Sequence, residues 1–317
     1  MNIPVFDLHC DTAFALLGED HNSAGSLKKN TLHIDLERAS KLTGYAQCFA
    51  CYTTPMMEQW YNVSPITIFE RELASIQREV DQNKRRIALA YGAADVTNNL
   101  NKGKASAILT LEGTAGFGHD PVLLEDLYMI GFRMVSLTWN EKNPLAGSHE
   151  TGGGLTEIGR EFVKEAQRLG MIVDVSHVSD EAFWDIMEIS QAPVVASHSN
   201  SRAVRDVSRN VTDDMFRQLC QIGGVAGINQ YADFVAEKPD LDSVCDHVLH
   251  FLEIDPEGKH IALGGDLDGC HELTEGFEGI QSYPALAEKM LARGITEPLI
   301  WNIYWNNALG VMDRCCM

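Results

Sequence analysis

The chain reads as an α/β protein, a (β/α)8 barrel of the TIM type with a metal site at the carboxyl ends of its strands. Three observations carry that reading. Apolar segments of strand length alternate with longer segments of helical period through eight units. The length, 317 residues, suits one such barrel. No G-x-G-x-x-G or phosphate-loop sequence follows the first strand, which weakens the runner-up, an open doubly wound sheet. No proline-rich linker, low-complexity tract or short internal repeat divides the sequence, so one domain over residues 1–317 is expected.

The eight strand segments are Val5–Cys10, Tyr45–Cys51, Ala107–Leu111, Arg133–Thr138, Met171–Ser176, Pro193–Ser197, Gly224–Ile228 and His260–Leu263. Several are nearly continuous apolar runs, as parallel strands covered on both faces are. Between them, Pro65–Asn83 carries an apolar stripe at Ile68, Phe69, Leu73 and Ile76. Thr156–Leu169 opens on a capping threonine and ends at Gly170, and Asp180–Ile189 follows the N-cap Ser179. Further helices are expected over Thr212–Ile222, Leu241–Leu252, Tyr283–Arg293 and Glu297–Leu309, the last with Pro298 in its first turn. The glycine-rich stretch Asn140–Leu155 reads as a loop over the fourth strand's carboxyl end, where substrate loops sit in barrels.

Apolar residues make up 45% and charged residues 22%, enough for a sizeable core. The net charge of −20 repels phosphate backbones and argues against a nucleic-acid partner. No apolar run is long enough to cross a bilayer, and no basic segment followed by an apolar one opens the sequence. A cytoplasmic protein without a membrane partner is expected, and a homodimer would be ordinary for it. Eight cysteines are too sparse for a disulfide scaffold. Cys48 and Cys51 form a CxxC, but inside an apolar, aromatic run that reads as a strand. The neighbours Cys315 and Cys316 read as exposed thiols.

The informative polar residues stand where the strands end. The first strand ends His9-Cys10-Asp11, and alternation lets His9 and Asp11 share a face. The third ends at Glu112. The fifth ends at His177, on the parity of Val173 and Val175, and the sixth at His198, on the parity of Val194 and Ala196. The eighth ends at Asp266, after Gly264. In a closed barrel these ends converge on one rim. Carboxylates packed so closely repel and are costly to bury, unless a divalent cation or a pair of them intervenes. Three histidines with Asp and Glu suit zinc best, with manganese and iron as alternatives. Glu112 is placed to bridge two ions. His149, in the glycine-rich loop, is the other histidine within reach of the mouth.

The segments Asp7-Leu8-His9-Cys10-Asp11, Leu111-Glu112-Gly113, Asp174-Val175-Ser176-His177-Val178-Ser179, Ala196-Ser197-His198-Ser199-Asn200, Arg209-Asn210-Val211 and Gly264-Gly265-Asp266-Leu267-Asp268-Gly269 resemble, in order and spacing, the membrane (renal) dipeptidase family of the amidohydrolase superfamily. The resemblance covers nearly the whole chain. It implies two zinc ions, the first on His9 and Asp11, the second on His177 and His198, with Glu112 bridging. It implies Asp266 as proton shuttle, Arg209 as the group that holds the substrate carboxylate, and Asp268 as structural support. The implied activity is hydrolysis of dipeptides by a hydroxide held between the ions, with tolerance of a D-residue at the carboxyl side.

Two departures bear on substrate. The family often carries a histidine at the end of the fourth strand, where this chain has Leu137-Thr138-Trp139-Asn140. Trp139 offers an N–H donor and a broad face, not a cation, so Asn140 or Asn143 takes over polarisation of the scissile carbonyl or that role is missing. Phe234 stands near a position where relatives can carry tyrosine. These departures keep open another amidohydrolase activity on the same centre, toward N-acyl amino acids or lactones. A catalytically silent metal-binding protein is the third reading.

Overall fold

The computed structural model describes residues 1–22 and 25–316. Nine parallel strands appear among them: β1 (Val5–Asp7), β2 (Tyr45–Tyr52), β3 (Ile87–Leu89), β4 (Ala105–Glu112), β5 (Phe132–Ser136), β6 (Ile172–Asp174), β7 (Val194–Ala196), β8 (Val225–Ile228) and β9 (Ile261–Leu263). Eight of them close a ring in the order β1-β2-β4-β5-β6-β7-β8-β9, with β9 returning to β1. These are the eight expected strands, and the fold is a (β/α)8 barrel. The ninth, β3, pairs with the first residues of β4 beside the ring. It is not among the expected strands.

The expected helices form with small shifts at their ends: Pro65–Gln82, Glu157–Leu169, Asp180–Ile189, Asp213–Gln221, Leu241–Ile254 and Tyr283–Ala292. Their starts are held by side chains that replace missing backbone acceptors. Ser64 accepts from Thr67 N, Thr156 from Gly159 N, Ser179 from Ala182 N and Thr212 from Met215 N. The last segment departs from expectation. Glu297–Trp301 runs into a π-helical turn at Asn302–Asn306 and continues as a helix to Cys315.

Two apolar layers result. On the outer faces of the strands, Val5, Phe49, Leu109, Val135, Val173, Val194, Ala226 and Ile261 pack against helix residues such as Phe69, Phe162, Phe183 and Phe216. On the inner faces, Phe6, Cys48, Ile108, Met134, Ile172, Val195, Val225 and Ala262 form a second cluster. The carboxyl-terminal helix closes this cluster from below with Trp305, Ala308, Val311, Met312, Cys315 and Cys316.

This plug corrects one expectation. Cys315 and Cys316 are not exposed thiols but buried parts of the barrel floor, and burial pushes their pKa up to about 11 and about 12. Cys48 belongs to the inner cluster and Cys51 to the outer one, so the sheet separates the two thiols of the CxxC. Among the described residues no helix is long and apolar enough to cross a membrane.

Candidate metal centre

The functional side chains reach the mouth because the strands stop early. β1, β6, β7 and β9 are each three residues long, and the chain leaves the extended conformation just beyond them. Strand alternation alone misplaces His177 and His198. Val173 and Val175, on the parity of His177, face the helices, as do Val194 and Ala196, on the parity of His198. His177 leaves that parity on backbone at φ 75°; Asp266, on the inner parity of Ala262, also stands on left-handed backbone, at φ 56°. Non-glycine residues in that region are strained by roughly 1–3 kcal/mol each and recur at functional sites.

Two buried aspartates hold these breaks. Asp7 Oδ1 accepts from His9 N and Gly265 N, both at 3.0 Å, tying the end of β1 to the end of β9. Asp174 Oδ1 accepts from Ser176 N at 3.0 Å and Ser197 N at 2.9 Å, tying β6 to β7. The sequence reading missed both roles. Each aspartate sits inside a quoted motif, but reads there as one more strand residue.

The expected ligands come together. His9, Asp11, Glu112, His177, His198 and Asp266 are all buried. Glu112 lies at the centre. Its Oε2 is 3.4 Å from His9 Nε2, while its Oε1 is 2.8 Å from His177 Nε2 and 3.7 Å from His198 Nε2. His9 Nε2 also lies 3.3 Å from Asp11 Oδ2 and 3.9 Å from Asp266 Oδ1. Two overlapping sets of donor atoms, His9–Asp11–Asp266 and His9–Glu112–His198, each fall within 4.8 Å.

The hydrogen bonds around the rings test whether a cation fits. His177 Nδ1 lies 2.8 Å from Asn140 Oδ1, an acceptor, so Nδ1 carries the proton and Nε2 a lone pair. His198 Nδ1 lies 2.7 Å from Ser197 Oγ, whose own proton goes to Asp174 Oδ2 at 2.7 Å. His198 Nε2 is therefore also a lone pair, and it faces His177 Nε2 at 3.0 Å. With Glu112 Oε1, two imidazole lone pairs and a carboxyl oxygen converge, and the Arg209 guanidinium approaches His177 Nε2 at 3.1 Å. Asp11 Oδ1 is buried and has no hydrogen-bond partner among the described residues. This donor set fits divalent cations, and imidazole with carboxylate favours zinc.

The electrostatics agree. Burial, then the Arg209 guanidinium and neighbouring imidazoles, hold His177 well below its ordinary pKa, and burial with His9 and Arg209 does the same for His198. Burial pushes Glu112 up to about 8 and raises Asp266. Burial also opposes a charge on His9, but Glu112 and Asp11 outweigh it and hold that imidazole well above its usual range. Protons on His9 and Glu112 thus stand where a divalent cation would supply the positive charge.

Above it opens a cavity of about 530 Å³ lined by Asp11, Glu112, His177, Asp266, Arg209 and Trp139, among others. Arg209 is buried; its Nη1 donates to Ser199 Oγ at 3.3 Å, Nη2 lies 3.1 Å from His177 Nε2, and its guanidinium carbon sits 5.4 Å from the Phe234 ring centroid. Asn229, which the sequence reading passed over, donates to Asp266 Oδ2 and to His198 O, both at 3.1 Å. Asp268 accepts from Thr12 Oγ1 and His33 N.

Asn143 requires correction. Its amide donates to Leu137 O and Thr114 Oγ1 and accepts from Leu145 N and Ala146 N. It fixes the loop and has no group left for substrate. Asn140 stands at the cavity instead, its Oδ1 shared by His177 Nδ1 and by His149 Nε2 at 2.9 Å. Burial holds His149 down at about 3, so it stays neutral.

Comparisons with known proteins give the same reading of the family. Dipeptidase verJ of Clonostachys rogersoniana is 29% identical over 98% of this chain and 84% of its own length. A Schizosaccharomyces pombe dipeptidase is 34% identical over 65% of this chain, a match that spans 52% of the yeast protein, so the chain covers about half of that relative. Among solved structures, a metallopeptidase from Rhodobacter sphaeroides liganded with a phosphinate mimic of the dipeptide L-Ala-D-Ala superposes with a TM-score of 0.90 at 27% identity, covering 99% of this chain and 100% of that one. The family model described as membrane dipeptidase, peptidase family M19, matches residues 1–315, and the chain belongs to that family.

Proposed function

We propose that the chain hydrolyses dipeptides, L,D-dipeptides included, with two zinc ions shared across Glu112. The observation that carries this reading is the split of that carboxylate, Oε2 toward His9 and Oε1 toward His177 and His198. His9 and Asp11 would hold the first ion, and His177 and His198 the second. Bound there, the ions would polarise the scissile carbonyl and acidify a water.

The chain's own residues do the rest. Arg209 pairs with the terminal carboxylate of the substrate through two parallel N–H donors. Because Arg209 lies 3.1 Å from His177, that carboxylate must sit close to the reacting bond, which selects dipeptides over longer peptides. Asp266, oriented by Asn229, takes a proton from the attacking water and returns it to the departing amine. Asn140 keeps His177 in the tautomer that leaves Nε2 free. The L-Ala-D-Ala mimic in the Rhodobacter sphaeroides relative supports the L,D extension.

The test is a panel of L,L- and L,D-dipeptides, their carboxyl-terminal amides, N-acyl amino acids and lactones, each with and without chelator. The expected result is chelator-sensitive cleavage of free dipeptides, with the amides at least about a hundredfold poorer because Arg209 loses its partner. Cleavage of N-acyl amino acids or lactones with dipeptides untouched would transfer the centre to the other amidohydrolase activity. Bound metal with no turnover on any of them would leave a silent metal-binding protein.

A further inference from the structure

Five aromatic side chains form a closed circuit on one side of the mouth. Ring centroids run Phe14–Tyr52 at 5.7 Å, Tyr52–Trp139 at 5.1 Å, Trp139–Trp60 at 6.0 Å, Trp60–Tyr61 at 6.1 Å and Tyr61–Phe14 at 5.8 Å. Four of the contacts among them, Phe14–Tyr52, Tyr52–Trp139, Trp60–Trp139 and Trp60–Tyr61, are edge-on at 88°, 64°, 83° and 72°. His21 stacks on Phe14 at 5.0 Å and packs on Tyr61 at 4.0 Å, bracing the circuit from one side. All five line the cavity.

Under the circuit lies an apolar cluster separate from both layers of the barrel, built on Leu17, Met57 and Ile68 with Tyr52. Trp60 is 46% exposed.

The ring order of the barrel says where this box sits relative to the rest of the site. Phe14 follows β1, Tyr52 ends β2 with Trp60 and Tyr61 close behind, and Trp139 follows β5. Arg209 follows β7, and with eight strands in the ring β7 stands diametrically across from β2. Glu112, at the end of β4, has its Oε1 turned across the mouth to His198, which follows β7. A dipeptide about 7 Å long, with its carboxylate on Arg209 and its peptide bond over Glu112, delivers its amino-terminal side chain to the aromatic circuit. Trp139, the residue that departs from the family's histidine, is one wall of it.

We infer that this circuit is the pocket for the amino-terminal side chain, and that the protein prefers dipeptides beginning in an aromatic or large apolar residue over those beginning in alanine. The inference rests on the dipeptidase reading. The aliphatic floor favours an apolar occupant over a cationic one, although aromatic rings can also hold a cation.

The experiment compares kcat/KM of the metal-loaded protein for L-Phe-L-Ala, L-Ala-L-Ala and L-Lys-L-Ala, in the wild type and in Trp60→Ala and Trp139→Ala, with calorimetric binding of the same dipeptides. Trp60 is exposed, so its removal leaves the packed layers intact. The expected preference for L-Phe-L-Ala over each of the others is at least about tenfold, given what methylenes are worth in an apolar pocket. In both variants it should fall to within about threefold of unity. Equal rates in the wild type, a preference for L-Lys-L-Ala, or a preference untouched by both substitutions overturns the inference. If no dipeptide is cleaved, the dipeptidase reading fails, and binding then decides the pocket. Tighter binding of L-Phe-L-Ala that Trp60→Ala abolishes upholds it, and equal binding overturns it.

Discussion

The two ends of the barrel are built on opposite terms. At the floor, inner-face residues such as Phe6, Ile108 and Met134 are sealed by Trp305 and Met312 of the last helix, and burial of this kind stabilises by about 25 cal/mol per Å² of apolar surface. At the rim, six ionisable side chains are buried together, two of them on left-handed backbone. Unpaired buried charge and strained backbone both cost stability. The same strands serve both ends, and they turn from one regime to the other where β1, β6, β7 and β9 end. The difference teaches that the floor holds the barrel together so that the rim can be destabilised for chemistry.

Substitutions at the two ends should therefore have opposite signatures. The largest effect is expected for Glu112→Gln, with dipeptide kcat/KM falling at least about a thousandfold, while the metal-free variant unfolds at a higher temperature than the metal-free wild type. The pH dependence follows from the raised pKa. Folded Glu112 titrates near 8, against an ordinary value of 4.5, so between these values the folded state binds more protons than the unfolded one. Its contribution in the metal-free protein is least unfavourable below pH 4.5 and worsens as pH rises through 8. The gap between variant and wild type should accordingly be wider at pH 8 than at pH 5. A variant that melts lower at both pH values breaks the contrast.

Next in size is Trp305→Ala at the floor. It should cost about 3–5 kcal/mol in denaturant unfolding and leave kcat/KM of the folded fraction within about twofold. A loss of turnover at unchanged stability would show that the floor is not merely structural. The smallest effect is expected for Asn143→Ala, about 1–2 kcal/mol of stability from the lost loop hydrogen bonds with KM unchanged. A raised KM there would return Asn143 to the substrate.

The sequence disclosed the barrel because eight apolar runs and their intervening helical stripes are long patterns, and β3 escaped because it stands beside the ring, paired only with β4, outside that alternation. It disclosed the ligands because polar residues at strand ends stand out against Val, Ile and Ala. It did not disclose how they are aimed. Strand parity predicts the outer face for His177 and His198, and local backbone reversed that at His177, where φ is 75°. Asp7 and Asp174 act through backbone amides two residues on and on the neighbouring strand end, contacts that exist only once the ring has closed. The thiols of Cys315 and Cys316 looked like a loose tail, because a helix that plugs a barrel from below gives no sign of its partner in its own residues. Likewise, the aromatic circuit joins residues from three segments far apart in sequence.

The most direct test of the shared cage is X-ray anomalous scattering across the zinc edge on crystals of the zinc-loaded wild type. The expected map has two peaks, one beside His9 and Asp11 and one beside His177 and His198, with the Glu112 carboxylate between them. A single peak, or peaks away from Glu112, would contradict the account.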